Sequence, residues 1–368
     1  MKLLFAFIII FSSYNVFAQN VHFFGSVKGS QTTIEDNDIT FDETYNKVTI
    51  SPLTTAGFSV DATIDDKYQV LAQFVYTDSS FISLDLLQLR HHFNSNTVVR
   101  VGMQRLPFNL HSENIQIQAL QPWLKAPREV YGRVPVYAFT GLSLEKDFGS
   151  NVGMHLYAGD TKDSFKGASA DYETAAHNLI GARLNLKVKD FSGFVNAYRG
   201  EADLDIKTDI SGVPFGLPAG TTVGYAQDYK LEALQGFTAG AQYRPKDFFI
   251  MSEYSLISSE NSVLERVEGM YVTAGKEINE KWIPVVTFST DLDVDSHLAP
   301  SKTTTYAFNV NYRLDYNNIL KAGVEHVNYK NISVASPSLA GSSNSSIFTN
   351  GDPGENFDVY SLVWAFVY

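Results

Sequence analysis

The sequence predicts an all-β chain: a transmembrane antiparallel β-barrel of 16 strands with a long third outer loop folded into the lumen. Three observations carry this. Apolar and polar residues alternate with period two over nearly all of residues 19–368, the mark of strands with two unlike faces. Short polar turns alternate along the chain with longer connections. The last strand has large apolar residues at every second position and ends on an aromatic.

Composition agrees with a two-faced wall. Aromatic residues are 13% of the chain, with 20 Tyr and 26 Phe against 3 Trp, yet the mean hydropathy is only -0.10. Such a chain must confine its apolar side chains to one face, as a barrel between lipid and water does. The formal net charge of -12 argues against a nucleic-acid partner, since little is available to neutralise phosphates. With no cysteine, cysteine-ligated zinc, disulfides and thiol catalysis are excluded, and neither a metal nor a cofactor is expected.

Residues 1–18 read as a cleaved secretory signal. Lys2 gives the positive start, Leu3 to Phe11 the apolar core, and Val16 and Ala18 the small residues before a cut ahead of Gln19. The apolar run is too short for a spanning helix, which needs ~20 residues. Residues 19–368 remain as a single barrel domain, and any crossing of a membrane falls to strands.

The strands are read by their alternation. Val70, Ala72, Phe74 and Tyr76 share one face, as do Val99, Val101 and Met103, with Arg100 and Gln104 opposite. Ile180, Ala182, Leu184, Leu186 and Val188 alternate with Arg183, Asn185 and Lys187. Tyr306, Phe308, Val310 and Tyr312 alternate with Asn309, Asn311 and Arg313. Seven short turns fall at 65–67, 94–96, 147–151, 189–190, 245–247, 279–280 and 315–318. Eight outer connections fall at about 30–55, 77–80, 106–136, 160–176, 202–227, 259–263, 292–301 and 331–355. Fifteen links join 16 strands, with both termini on the short-turn side. Pro284 sits early in its strand, where a missing N–H is tolerated. The segment around Val48 and Ile50 could hold part of a further strand.

The chain ends Tyr360-Ser-Leu362-Val-Trp364-Ala-Phe366-Val-Tyr368. One face is a lipid-facing stripe with interfacial aromatics. The other, Val359, Val363, Ala365 and Val367, is also apolar and must pack against something dry. This terminal strand resembles that of Gram-negative outer-membrane porins, whose final aromatic is read by the barrel assembly machinery. Trp364, Phe366 and Tyr368 would be that assembly signal. The passage from Val101-Gly-Met-Gln104-Arg105-Leu-Pro107 into Gln121-Pro122-Trp123-Leu-Lys125-Ala-Pro127-Arg128-Glu129 is similar to porin-like proteins of marine gammaproteobacteria. The acidic Pro-Glu-Phe segment typical of the third loop in general porins is absent.

The resemblance implies a channel in the outer membrane, reached by Sec-type export and embedded in lipid and lipopolysaccharide. Small hydrophilic solutes and ions would pass by diffusion through a homotrimer. The residues indicate where a solute would meet the wall. Ile115, Ile117, Leu120, Trp123 and Val130 give loop 106–136 an apolar side for docking. Glu113, Lys125, Arg128, Glu129 and Arg133 give it charge to present at a constriction. Facing them, alternation places Arg100, Gln104, Arg183, Asn309 and Lys321 on the wall. The loop could instead be an external subunit contact.

Other patterns lead less far. Asp291-Leu-Asp293-Val-Asp295 starts like a calcium loop but lacks its Gly and late Glu, and reads as a solvated acidic loop. His91-His92 reads as a strand end. No nucleophile elbow, zinc helix or phosphate loop occurs. The chain is therefore expected not to be an enzyme. A substrate-selective channel and a structural or adhesive barrel are the alternatives.

Overall fold

The computed structural model describes residues 18–33, 49–50, 55–77, 82–132, 137–166, 170–210, 223–260, 264–296, 301–331 and 356–368. Sixteen long strands run through it. They are β1 (Ala18–Thr33), β2 (Thr55–Thr63), β3 (Tyr68–Thr77), β4 (Ile82–Asn94), β5 (Thr97–Arg105), β6 (Ala138–Phe148), β7 (Val152–Lys166) and β8 (Ala170–Val188). Then follow β9 (Phe191–Ile210), β10 (Val223–Tyr243), β11 (Phe248–Ser258), β12 (Leu264–Lys276), β13 (Trp282–Ser296), β14 (Ser301–Arg313), β15 (Asn318–Asn331) and β16 (Asn356–Val367). Each pairs antiparallel with its sequence neighbours. The sheet closes because β1 also pairs with β16, from Phe24↔Val367 to Thr33↔Asp358. Closure leaves no unpaired edge, the condition for a sheet in hydrocarbon. No described helix is long and apolar enough to cross a membrane.

The stub Thr49–Ile50 pairs with Gly29 and Ser30 of β1, just beyond the stretch of β1 that pairs with β2. It continues the line of β2 along the same neighbour and adds no strand to the barrel. Pro284 lies inside β13, but the ladder with β12 stops at Gly275↔Val285, one residue short of it. Residues 1–17 lie outside the described residues, and pairing starts at Ala18, beside the expected cut.

All seven short turns fall where the sequence places them. Asp65 Oδ1 accepts from the amides of Lys67 and Tyr68, both at 2.8 Å, and Asp315 Oδ1 does the same for Asn317 and Asn318. A side-chain acceptor of this kind stands in for the backbone acceptor that a tight reversal removes.

Two outer boundaries differ from expectation. β7 and β8 pair as far as Lys166↔Asp171, and β9 and β10 as far as Ile210↔Val223, so the connections at 160–176 and 202–227 are much shorter. Residues 160–166 are polar at most positions on both faces and carry little hydrophobic alternation to read, whereas in 202–210 Ala202, Leu204, Ile206 and Ile210 do alternate with Asp203, Asp205, Lys207 and Asp209, a strand signal that the density of charge conceals. The run 291–295 is likewise strand, not loop. Asp291 is fully buried in β13, and its Oδ2 accepts from the amide and hydroxyl of Thr303, both at 2.7 Å. No group of three or more metal-ligating side chains occurs among the described residues.

The outward face is apolar and exposed, with Val101, Leu142, Leu184, Phe237, Phe308 and Leu362 among its members. Aromatics gather near the short turns. Tyr243 meets Phe248 edge-on at 5.7 Å, and Trp282 lies 4.5 Å from Tyr312. His91 stacks between Tyr68 and Phe93 in this group. Interfacial aromatics of this kind form the girdles of membrane barrels. Trp364 and Tyr368 also face outward, and Tyr368 exchanges two backbone hydrogen bonds with Phe23 at the closing seam.

Candidate functional site

The inward face meets the connection between β5 and β6. Leu106 and Phe108 enter a cluster with Phe139, Tyr157, Leu179, Tyr198 and Ile257. The Phe108 ring stacks on Tyr198 at 4.1 Å. Trp123, Val130 and Tyr131 pack with Phe249, Met251, Tyr271 and Val285. Leu124 packs on Val363 and Ala365. That last contact is the dry partner required by the second apolar face of the terminal strand.

Polar anchors run beside the apolar ones. Arg183 donates to the carbonyls of Pro107 (2.8 Å) and Asn109 (2.9 Å), while its guanidinium lies 3.8 Å from the Phe194 ring centroid. Glu253, fully buried in β11, accepts from the Leu110 amide and from the Tyr131 and Tyr271 hydroxyls. Trp123 Nε1 donates to Thr273 Oγ1 at 2.7 Å. Asn309 and Asn311 both donate to the Pro122 carbonyl, at 3.0 and 2.8 Å. Lys321 Nζ donates to the carbonyls of Gln118, Gln121 and Trp123. Thr305 donates to Glu129 Oε1 at 2.7 Å. A non-regular segment has no ladder of its own, so its buried carbonyls need donors such as these.

The anchors fix a height as well as a place. Lys321 is the fourth residue of β15, and Thr273 is three residues before the end of β12. Both lie toward the short-turn end of the barrel. The short helix α1 (Arg128–Tyr131) follows these anchors in the connection.

On β2–β7 the inward side chains form a separate charged network. Arg100 binds Glu145 at 2.6 Å and lies 3.5 Å from Glu113 of the connection. His155 Nδ1 is 3.5 Å from Glu145. Arg105 pairs with Asp85, which also accepts from Gln73 at 2.9 Å. Gln69 donates to Asp61 at 2.7 Å. Arg90 stands opposite Arg100 in the β4–β5 register and has no ion-pair partner among the described residues.

Burial shapes the connection's own titratable groups. Burial, then repulsion from Arg244 and Lys321, lowers the pKa of His111 to about 4. Burial, then repulsion from Arg128 and Lys28, pulls Lys125 well below the ordinary lysine range. Burial, then the Glu253 carboxylate, raises Tyr131 well above the usual phenol range.

The structure brings the sequence-derived residues together in three places. Arg100 and Glu113 meet in the charged network. Lys125, Arg128, Glu129 and Asn309 line one pocket. Arg183, Asn309 and Lys321 bind backbone carbonyls of the connection. Gln104 lies nine-tenths or more buried in the wall, accepting from Ser143 at 2.6 Å and donating to Gly141 O. Arg133 lies outside the described residues. Sequence reasoning missed Lys28, Asp85, Arg90, Glu145, His155 and Glu253. Arg90 was open to discovery, because it follows Gln88 on the polar face of β4.

Sixteen antiparallel strands closed on themselves, apolar outside and polar inside, define a porin-like barrel. Among solved structures, the chain is similar to the outer membrane channel DcaP of Acinetobacter baumannii, with TM-score 0.58 and 12% identity over 94% of this chain and 97% of that one. It is similar to the anion-selective porin from Comamonas acidovorans, with TM-score 0.58 and 12% identity over 95% and 99%. It is also similar to the trimer form of the outer membrane protein OmpT of Vibrio cholerae, with TM-score 0.51 and 15% identity over 94% and 99%. No protein-family model matches the chain, and no curated protein matches it by sequence.

Proposed function

We propose that the chain is an outer-membrane channel through which small hydrophilic solutes and ions diffuse, with segment 106–132 folded inward to form the constriction. The carrying observation is the set of wall donors on that segment's carbonyls, above all Lys321 on Gln118, Gln121 and Trp123. A surface connection would take its donors from water. This one takes them from inward side chains of β8–β15. The solute path then runs between the segment and the wall of β2–β7, past Glu113, Arg90, Arg100 and Glu145. Charges held at close quarters in a narrow aqueous passage set which ions pass. No bond is made or broken in this reading, so the chain is proposed as a non-enzyme.

Export by a cleaved signal at residues 1–18, insertion directed by Trp364, Phe366 and Tyr368, and a homotrimeric assembly belong to the same proposal. The terminal aromatic stripe supports the second of these. The trimer form of a structurally similar protein supports the third. The test is conductance of the refolded mature chain in planar bilayers under a salt gradient. Stepwise openings with a defined reversal potential are expected. Folded barrels that never conduct would overturn the reading.

A further inference from the structure

An open groove of about 400 Å³ lies on the outward face near the short-turn end of β11–β13. The strand register explains it. Phe248 and Ile250 of β11 stand opposite Lys276 and Ala274 of β12, and Ala274 stands opposite Val286 of β13, so all five share the outward face. Ala274 is a small floor between the exposed side chains of Ile250 and Val286. Pro284 brings no N–H, and the β12–β13 ladder ends at Gly275↔Val285. From there to the Ile278–Trp282 bridge the two strands are unpaired, and the groove opens over that gap.

The lining is apolar but for Lys276, the last residue of β12, which closes the end nearest the turns. Lys276 is exposed, as are Lys246 and Lys281 in the turns on either side. Of the acids at this edge, Glu277 is held by Arg313 at 3.1 Å. Three lysines and Arg244 are then set against Asp247 and Glu280. The turn between β2 and β3 has the opposite balance, Asp65 and Asp66 against Lys67.

Trp282 and Tyr312, paired beside the groove, mark the level of the lipid headgroups. An aliphatic trough that ends at this level on exposed ammonium groups matches an acyl chain that ends on a phosphate. Basic side chains at a membrane surface draw anionic lipid to themselves. A second copy of the barrel wall is a poorer fit, because its apolar face would bury Lys276 without an acceptor.

We propose that this groove binds an anionic phospholipid of the leaflet on the short-turn side. One acyl chain lies over Ala274 between Ile250 and Val286, and the phosphate sits beside Lys276. The site rests on the membrane placement proposed above and not on conduction.

The experiment uses tryptophan quenching in phosphatidylcholine vesicles that contain, as a minor component, either brominated phosphatidylglycerol or brominated phosphatidylcholine. Trp282, in the Trp364→Phe chain, reports the groove. Trp364, in the Trp282→Phe chain, is the control at the same level, since register links Trp282, Tyr312, Leu320 and Trp364 in one line across the strands. Quenching of Trp282 is expected to favour the anionic lipid by at least about threefold, and quenching of Trp364 to favour neither. Lys276→Gln should abolish the preference by removing the charge. Ala274→Leu should abolish it by filling the floor with every lysine in place. Both positions are on the outside of the barrel, and heat-shifted gel mobility reports folding. Equal quenching of Trp282 by the two lipids would overturn the proposal, and so would a preference that survives Ala274→Leu, which would mark a surface charge effect with no groove. A Trp282 shielded from both lipids while Trp364 is quenched would overturn it in favour of a subunit contact. If neither tryptophan were quenched, the barrel would not lie in the bilayer, and the membrane placement would fall with the site. A barrel that shows the preference but never conducts would sink the channel reading and leave the lipid site standing.

Discussion

The Lys321 ammonium lies 2.6 Å from the carbonyl oxygen of Gln121, a residue 200 positions away in sequence. Two further carbonyls, of Gln118 and Trp123, complete its shell, and the side chain has no solvent exposure. One wall cation therefore satisfies three carbonyls in a single bend of the connection. Lys321→Met keeps much of the volume and removes all three donors. A hydrogen bond to a charged group contributes about 1.5–3 kcal/mol. The opened population of the segment is expected to rise by tenfold or more, while the barrel ladder stays intact. Faster proteolysis within 106–132 and noisier open channels are the readouts. Unchanged proteolysis would show that the apolar contacts hold the segment alone.

Gly269 on β12 makes the opposite kind of contact. A Cβ built there would lie 1.9 Å from the carbonyl oxygen of Glu129, so the backbone of α1 rests directly on the wall. Only glycine permits that approach. Gly269→Ala is expected to push α1 off the wall and break the Tyr131–Glu253 and Thr305–Glu129 hydrogen bonds. Native-state amide exchange should then speed up across 128–132 and not in β11–β13. Protection retained at Tyr131 would contradict this.

The strand count was legible because seven polar turns punctuate the chain, and Asx acceptors such as Asp65 and Asp315 advertise them. The connection's importance was legible from its length and from apolar residues such as Ile115 and Trp123. Its partners were not. Lys321 and Asn309 read as lining because alternation reports which face a side chain takes, not what covers that face. Glu253 was invisible for a related reason. A lone acid in Phe-Phe-Ile-Met-Ser-Glu-Tyr gives no hint that two tyrosines and an amide converge on it from elsewhere in the chain. The outer reach of β7 reads as loop because residues 160–166 are polar on both faces, and that of β9 because four charges among residues 203–209 mask the alternation of Ala202, Leu204, Ile206 and Ile210.

The three tryptophans divide by environment. Trp282 and Trp364 face outward at 49% and 43% exposure, while Trp123 is 2% exposed and hydrogen-bonded to Thr273. Brominated lipids quench only indoles that touch acyl chains. In Trp282→Phe/Trp364→Phe the remaining emission is expected to be blue-shifted and indifferent to bromination. In Trp123→Phe the remaining emission should be strongly quenched. Quenching of Trp123 would place the connection outside the barrel.

His111 gives the connection an acid limit. It is a base whose pKa is lowered by packing, from 6.5 to about 4, with burial the main cause. The packed segment therefore favours the neutral ring. Its contribution is complete above pH 6.5 and is lost as pH falls through the window down to about 4. The full loss is about 3 kcal/mol, from ~1.4 kcal/mol per pH unit. Proteolysis of the segment should accelerate over that window in the native chain and much less in His111→Gln. Because other groups titrate in acid, the difference between the two profiles is the measurement, and coincident profiles would rule His111 out.

Charge selection should depend on which arginines are already matched. Arg105 is paired with Asp85, and Arg100 with Glu145. Arg90 forms no ion pair among the described residues, although it adjoins Arg100 across β4 and β5. A paired charge projects little field into the passage, because its partner cancels most of it within a few ångströms. An unmatched one acts over roughly a Debye length, ~8 Å at physiological salt. Removing an unmatched cation from a narrow passage lowers the local anion concentration directly. Arg90→Gln is therefore expected to shift the reversal potential under a potassium chloride gradient toward potassium, with conductance within about twofold of the native channel. The double variant Arg105→Gln/Asp85→Asn removes a net-neutral pair and is expected to give a smaller shift. The comparison is internal to one wall of the barrel and needs no knowledge of the native solute. If Arg105→Gln/Asp85→Asn moved the potential as much as Arg90→Gln, pairing would not be what governs selectivity.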